Sequence, residues 1–170
     1  AAGGAIEFEG SDTSEVTNTG TTTIDLIDVA SLTIAAALPF EVMYSARKSS
    51  GAGVDGGFGL KLNGTVVGEA SESPSGSGMA FDGADEAQSG VCWELIGPRV
   101  TNYLYGVMGI WTRQEGTNKP GVGTTVLYTA CDTAAITTDE ITDVDIRMDP
   151  GGGGVTRAAD ELTVWSRKIT

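Results

Sequence analysis

The chain has 170 residues, 10 Lys and Arg against 23 Asp and Glu, no His, and a formal net charge of −13. That length suits one domain with a single substantial core. The charge opposes binding to a nucleic-acid backbone or an anionic membrane surface. The missing His removes the usual general base, the Ser-His-Asp triad and most transition-metal sites.

With 25 Gly and abundant Thr and Val, the composition fits many short strands joined by Gly-rich turns. No stretch keeps apolar residues at helical spacing for long. The opening Ala1-Ala2-Gly3-Gly4-Ala5 has no basic or apolar segment of the export type, so no signal peptide is expected there. From Ala1 to Ala46 stand seven acids (Glu7, Glu9, Asp12, Glu15, Asp25, Asp28, Glu41) and no base.

In chain order, a short strand is expected around Ile6 to Glu9, followed by a polar stretch from Gly10 to Gly20. A second strand is read over Thr21 to Val29, with Ile24 and Leu26 on one face. Ser31 to Leu38, with Ala35, Ala36 and Ala37, fits one helical turn or a buried strand before Pro39, and an irregular connection ending at the proline is the preferred reading. Phe40 to Lys48 alternates: Phe40, Val42, Tyr44 and Ala46 on one side, Glu41, Met43, Ser45 and Arg47 on the other. Phe58, Leu60 and Leu62 alternate again. Asn63-Gly64 then predicts a type I′ hairpin with its return strand over Thr65 to Ala70, because both central residues of that turn need positive φ.

Ser71 to Gly90 is polar and acidic and reads as a long exposed loop. Further strands are expected over Val91 to Ile96, Asn102 to Thr112, Thr124 to Ala130, Ile141 to Met148 and Asp160 to Ile169. The sum is an all-β, antiparallel β-sandwich of jelly-roll type with about nine or ten strands. Residues 1–9 are expected to form an N-terminal arm and residues 10–170 the single sandwich domain.

Few constellations carry chemistry. Glu94 beside Trp93, and Asp143 with Asp145 on one strand face, are the carboxylates a glycosidase would need, but the chain is not expected to be an enzyme. Asp82, Asp85 and Glu86 form a candidate metal site, since hard oxygen ligands suit calcium. Their spacing matches no EF-hand, and no other cofactor is expected. Trp93 and Trp111 are candidate sugar-stacking residues. Cys92 and Cys131 read as free, largely buried thiols rather than a bridge.

The segment Ala5-Ile6-Glu7-Phe8-Glu9-Gly10-Ser11-Asp12 resembles the opening of laminin-G-like and concanavalin-like jelly rolls. The end of the chain, from Ala159-Asp160-Glu161-Leu162 through Trp165 to Thr170, resembles their closing strand. That resemblance implies a jelly roll and a lectin-like module. The middle of the chain departs from the pattern and has no matching calcium site.

The chain as a whole, small, acidic and rich in Gly, Thr and Ser, is similar in style to capsid decoration (cement) proteins of tailed phages. This second resemblance implies a place on the outer capsid surface of a virion. The implied partners are the major capsid protein and copies of the chain itself, as a homo-oligomer such as a trimer, with no nucleic acid and no membrane. Ile6 and Phe8 are the expected apolar contacts of the arm, able to add to a neighbouring sheet edge.

Overall fold

The structure is a computed structural model that describes residues 5–20, 22, 24–36, 38–49, 56–66, 79–81, 87–97, 105–114, 124–129, 139–149 and 157–168. Among these residues lie twelve strands and no helix. In order they are β1 (Ala5–Asp12), β2 (Val16–Asn18), β3 (Ile24–Ile34), β4 (Phe40–Lys48), β5 (Gly56–Leu62), β6 (Thr65–Val66), β7 (Met79–Phe81), β8 (Gln88–Ile96), β9 (Tyr105–Gln114), β10 (Thr124–Thr129), β11 (Ile141–Asp149) and β12 (Arg157–Lys168). Nine of them are six residues or longer, within the expected number; the short β6 is the return strand of the predicted hairpin, and β2 and β7 are short additions.

All pairings are antiparallel. One sheet of seven strands runs β1-β12-β4-β8-β9-β10, with β2 also on β12; the other, of five, runs β3-β11-β5-β6, with β7 also on β5. Sequence-adjacent strands repeatedly fall in different sheets, as a jelly-roll sandwich requires.

The alternation of each strand decides what lies between the sheets. Phe40, Val42, Tyr44 and Ala46 of β4, Leu162 and Val164 of β12, and Cys92 and Ile96 of β8 face inward from the larger sheet. Phe58, Leu60 and Leu62 of β5, Val144, Ile146 and Met148 of β11, and Ile27 and Val29 of β3 face them from the smaller. Tyr44 reaches across, its hydroxyl 3.5 Å from the carbonyl oxygen of Phe58.

The β5–β6 hairpin forms as predicted, with Asn63 at φ 48° and Gly64 at φ 73°. Asn63 also ties the turn to β11. Its side-chain amide donates to the carbonyl of Glu140 at 2.8 Å, and its side-chain oxygen accepts from the Thr142 backbone N–H at 2.9 Å.

Two stretches differ from the sequence reading. β1 does not end at Glu9 but runs to Asp12, because a bulge between Phe8 and Gly10 keeps it paired with β12. A Cβ on Gly10 would lie 2.7 Å from Cγ1 of Val29, so the close approach of β1 to β3 requires a glycine there. β3 likewise continues through the segment read as irregular. Ser31 takes φ 62° at a register shift against β11, and this bulge returns Leu32 and Ile34 to the core at 3% and 0% exposure. A second shift opposite Ile146/Arg147 moves the inward set to Ile27 and Val29, leaving Ile24 partly buried at the core's rim.

Candidate functional site

The outer face of the seven-stranded sheet carries the candidate site. β4 presents Glu41 and Met43 there, β8 presents Val91, Trp93 and Leu95, and β12 presents Trp165 and Arg167. Register builds the neighbours. Phe8 stands opposite Trp165, Trp165 opposite Glu41, Glu41 opposite Leu95, and Met43 opposite Trp93. These are the positions at which cross-strand side chains touch. Ile6 and Phe8, on β1 at the edge of this sheet, are both 59% exposed, and Val91 is 36% exposed.

Glu41 organises the polar part of this face. The Trp93 indole N–H donates to its Oε2 at 3.0 Å. Arg167 donates through Nε and Nη2 to its Oε1, at 2.9 and 2.5 Å. One mostly covered carboxylate therefore fixes the tilt of an indole and the position of a guanidinium, leaving a half-buried aromatic ring beside a charged pair. Nearer the sheet's other end, Arg47 joins Asp160 at 3.1 Å and also Glu15.

The outer face of the five-stranded sheet is different. Asp28 of β3 and Asp143 and Asp145 of β11 bring carboxylate oxygens within 4.8 Å of one another, a spacing that a hard divalent cation can bridge. Burial is the first cause that raises all three above the ordinary carboxylate value. For Asp28 the neighbouring Asp143 adds to it, and for Asp143 the charge of Asp145 does. Lys61 of β5 supplies the counter-charge, 2.5 Å from Asp25 and 3.7 Å from Asp145; its hydrogen bond to Asp25 raises the lysine's own value.

The residues singled out from the sequence scatter accordingly. Ile6 and Phe8 lie in β1, hydrogen-bonded along β12, with their side chains exposed on the sheet's outer side. Trp93 lies on the candidate face. Trp111 sits in β9 opposite Val91 in the register, and its side chain lies outside the described residues. Asp82, Asp85 and Glu86 lie outside the described residues, as does Cys131.

Glu94 points into the sandwich at 0% exposure, whereas Asp143 and Asp145 point out of the opposite sheet, so these carboxylates do not face one another across a cleft. Cys92 is a free, buried thiol with its Sγ 3.6 Å from Glu94 Oε1; burial, then the Glu94 charge, pushes that thiol far up and keeps it unreactive.

Sequence reasoning did not assign Glu41, Met43 or Arg167 to the site. The alternation of β4 already put Glu41 and Met43 on the face opposite the core, but their pairing with Trp93 and Trp165 depends on strand order. Asp28 was missed for the same reason: it joins Asp143 and Asp145 only through the β3–β11 pairing.

No known protein family and no curated protein matches the sequence. Among solved structures, the chain is similar to dimeric latent PorU from Porphyromonas gingivalis at 9% identity and a TM-score of 0.44, covering 98% of this chain and 13% of that one. It is similar to the CBM2 module of the evolved Dit of Lactobacillus casei BL23 phage J-1 at 12% identity and a TM-score of 0.40, covering 99% of each chain. It is also similar to lectin II from Ulex europaeus at 14% identity and a TM-score of 0.38, covering 96% of this chain and 93% of that one. At TM-scores this low these likenesses carry no argument about function; the strand topology itself defines the class, an antiparallel jelly-roll sandwich.

Proposed function

We propose that this chain is a non-catalytic virion structural protein that decorates and stabilises the outer surface of a phage capsid, docking through the outer face of its seven-stranded sheet. The observation that carries the reading is the exposure of Ile6 and Phe8 beside Trp165, in a row that continues towards Met43, Trp93, Leu95 and Val91. Ile6, Phe8 and Val91 are exposed and the others in the row half-buried, and apolar surface left uncovered on a sheet face is what an interaction site uses. The net charge of −13 supports a position away from packaged nucleic acid. The partners in this reading are the major capsid protein and further copies of the chain, as a homo-oligomer.

A second reading is a lectin-like carbohydrate-binding module. The arrangement favouring it is Trp93 held by Glu41 beside Arg167, an aromatic ring next to charged hydrogen-bonding groups.

The test is sedimentation of the protein with a purified particle fraction from its source, with chains per particle counted by quantitative mass spectrometry. Decoration predicts many copies in fixed ratio to the capsid protein, and loss of most of the bound fraction in Phe8→Asp. Few copies, together with binding of the free protein to a glycan array that Trp93→Ala abolishes, would replace it with the lectin reading.

A further inference from the structure

The seven acids without a base in the first 46 residues acquire a place in the fold. β1 ends the seven-stranded sheet and β3 ends the five-stranded one, and β3 packs against β1, β2 and β12. The two sheets therefore terminate on the same flank, which is built from residues 5–34. Six of the seven acids belong to that segment: Glu7, Glu9, Asp12, Glu15, Asp25 and Asp28. Glu15 is matched by Arg47 and Asp25 by Lys61, both from elsewhere in the chain. Glu9 accepts the Ser166 hydroxyl, and Asp12 accepts the backbone N–H of Ser14 at 2.8 Å. Asp12 also adds to the upward shift of Asp28, so the negative field runs across the flank from one sheet edge to the other.

Among the described residues β1 pairs on one side only, with β12. Its outer edge is a row of backbone donors and acceptors from Ala5 to Phe8, before the bulge that bends the strand. Along that stretch exposed apolar and acidic side chains alternate: Ile6, Glu7, Phe8.

We propose that the β1 edge receives an extended, basic segment of a partner protein, which adds as a further strand to the seven-stranded sheet. This rests on the coat reading and deepens it by naming the partner's chemistry. Backbone hydrogen bonds to Ala5–Phe8 hold the incoming strand. Its apolar residues lie beside Ile6 and Phe8, and its Lys or Arg residues, on the alternate face, lie beside Glu7. A second copy is a poor occupant: antiparallel pairing of two β1 strands that matches Ile6 with Phe8 sets Glu7 of one against Glu7 of the other, and like charges directly opposite are destabilising.

The test uses the full chain and three synthetic peptides of roughly ten residues, a length that spans an ordinary strand. One alternates valine with lysine, one alternates valine with glutamate, and one is the lysine peptide N-methylated at every second residue to remove strand-pairing donors. Binding is read by fluorescence anisotropy at low salt, and amide hydrogen exchange is read over Ala5–Phe8. The lysine peptide should bind and slow that exchange, and both other peptides should bind at least roughly ten-fold more weakly, as lost charge or backbone pairing demands.

Glu7→Lys, an exposed substitution, should weaken lysine-peptide binding and reduce particle sedimentation. Equal binding of the N-methylated peptide, or no binding by any, overturns strand addition. So does exchange protection that rises with protein concentration and no peptide, which would give the edge to a second copy. Wild-type protein that sediments with particles while the peptides fail defeats this inference alone; peptides that bind as expected while the protein leaves particles unbound defeat the coat reading alone.

Discussion

The outward sides of β4 and β8 and the outward sides of β3 and β11 are built by the same two-residue alternation, yet they display opposite chemistry. The first shows Met43, Trp93 and Leu95 next to Trp165 and Phe8, with one carboxylate, Glu41, held by Trp93 and Arg167. The second shows Asp25, Asp28, Asp143 and Asp145 crowded around Lys61. The inner sides of these strands are alike in kind, apolar and closely packed apart from Glu94 of β8 and Lys48 of β4. Burial constrains the inner residues of both sheets alike, while the outer residues are left open to be specialised, one face for contact and the other for charge.

The largest expected effect tests what the two faces share. Phe40→Ala from the larger sheet and Phe58→Ala from the smaller remove fully buried rings from one core. Each should cost about 3–5 kcal/mol by chemical denaturation. A large loss from only one of them would mean that the sheets do not share a core.

Gly10→Val comes next, because its Cβ would meet Val29 across the sandwich and the stiff valine there cannot easily turn away. A loss of roughly 1–3 kcal/mol is expected, as for other overpacked sites. A negligible shift of the denaturation midpoint would mean that β1 is free to lift from β3.

Asp143→Asn sharpens the contrast between the outer faces and should stabilise the protein. A carboxyl whose folded value is raised gives stability below its unfolded value, 3.8, and loses it as pH rises through the folded value. At neutral pH the ionised cluster is therefore a burden. The amide should gain roughly 0.5–1 kcal/mol there, the scale of a partly exposed charge interaction. The gain should fade as pH falls towards 3.8, where the native carboxyl also becomes neutral. Melting curves of both chains across pH decide it; a loss at neutral pH would mean that Asp143 is held by a favourable partner.

Phe8→Asp should change stability least, by no more than about 0.5 kcal/mol, because the ring is 59% exposed. Its consequence belongs to binding. Unfolding curves that move while particle binding stays put would reverse the roles assigned to the apolar face.

The sequence alone determined the strands with uninterrupted alternation. Phe40 to Lys48, Phe58 to Leu62 and Val144 to Met148 announce their inner faces because a strand's side-chain period is two and purely local. Asn63-Gly64 announced its turn because the φ requirement resides in two residues. Alternation failed where bulges reset it: at Glu9 and near Leu26 the chain inserts one residue and around Ser31 two, and only the partner strand shows where the count resumes. For the candidate site, Trp93 and the β1 pair Ile6 and Phe8 were legible as chemistry. That Phe8 meets Trp165, that Glu41 bridges Trp93 and Arg167, and that Asp28 joins Asp143 and Asp145 were decided by strand order alone. Those pairs lie far apart in the chain, and which strands become neighbours is settled by the joint burial of all their inner faces.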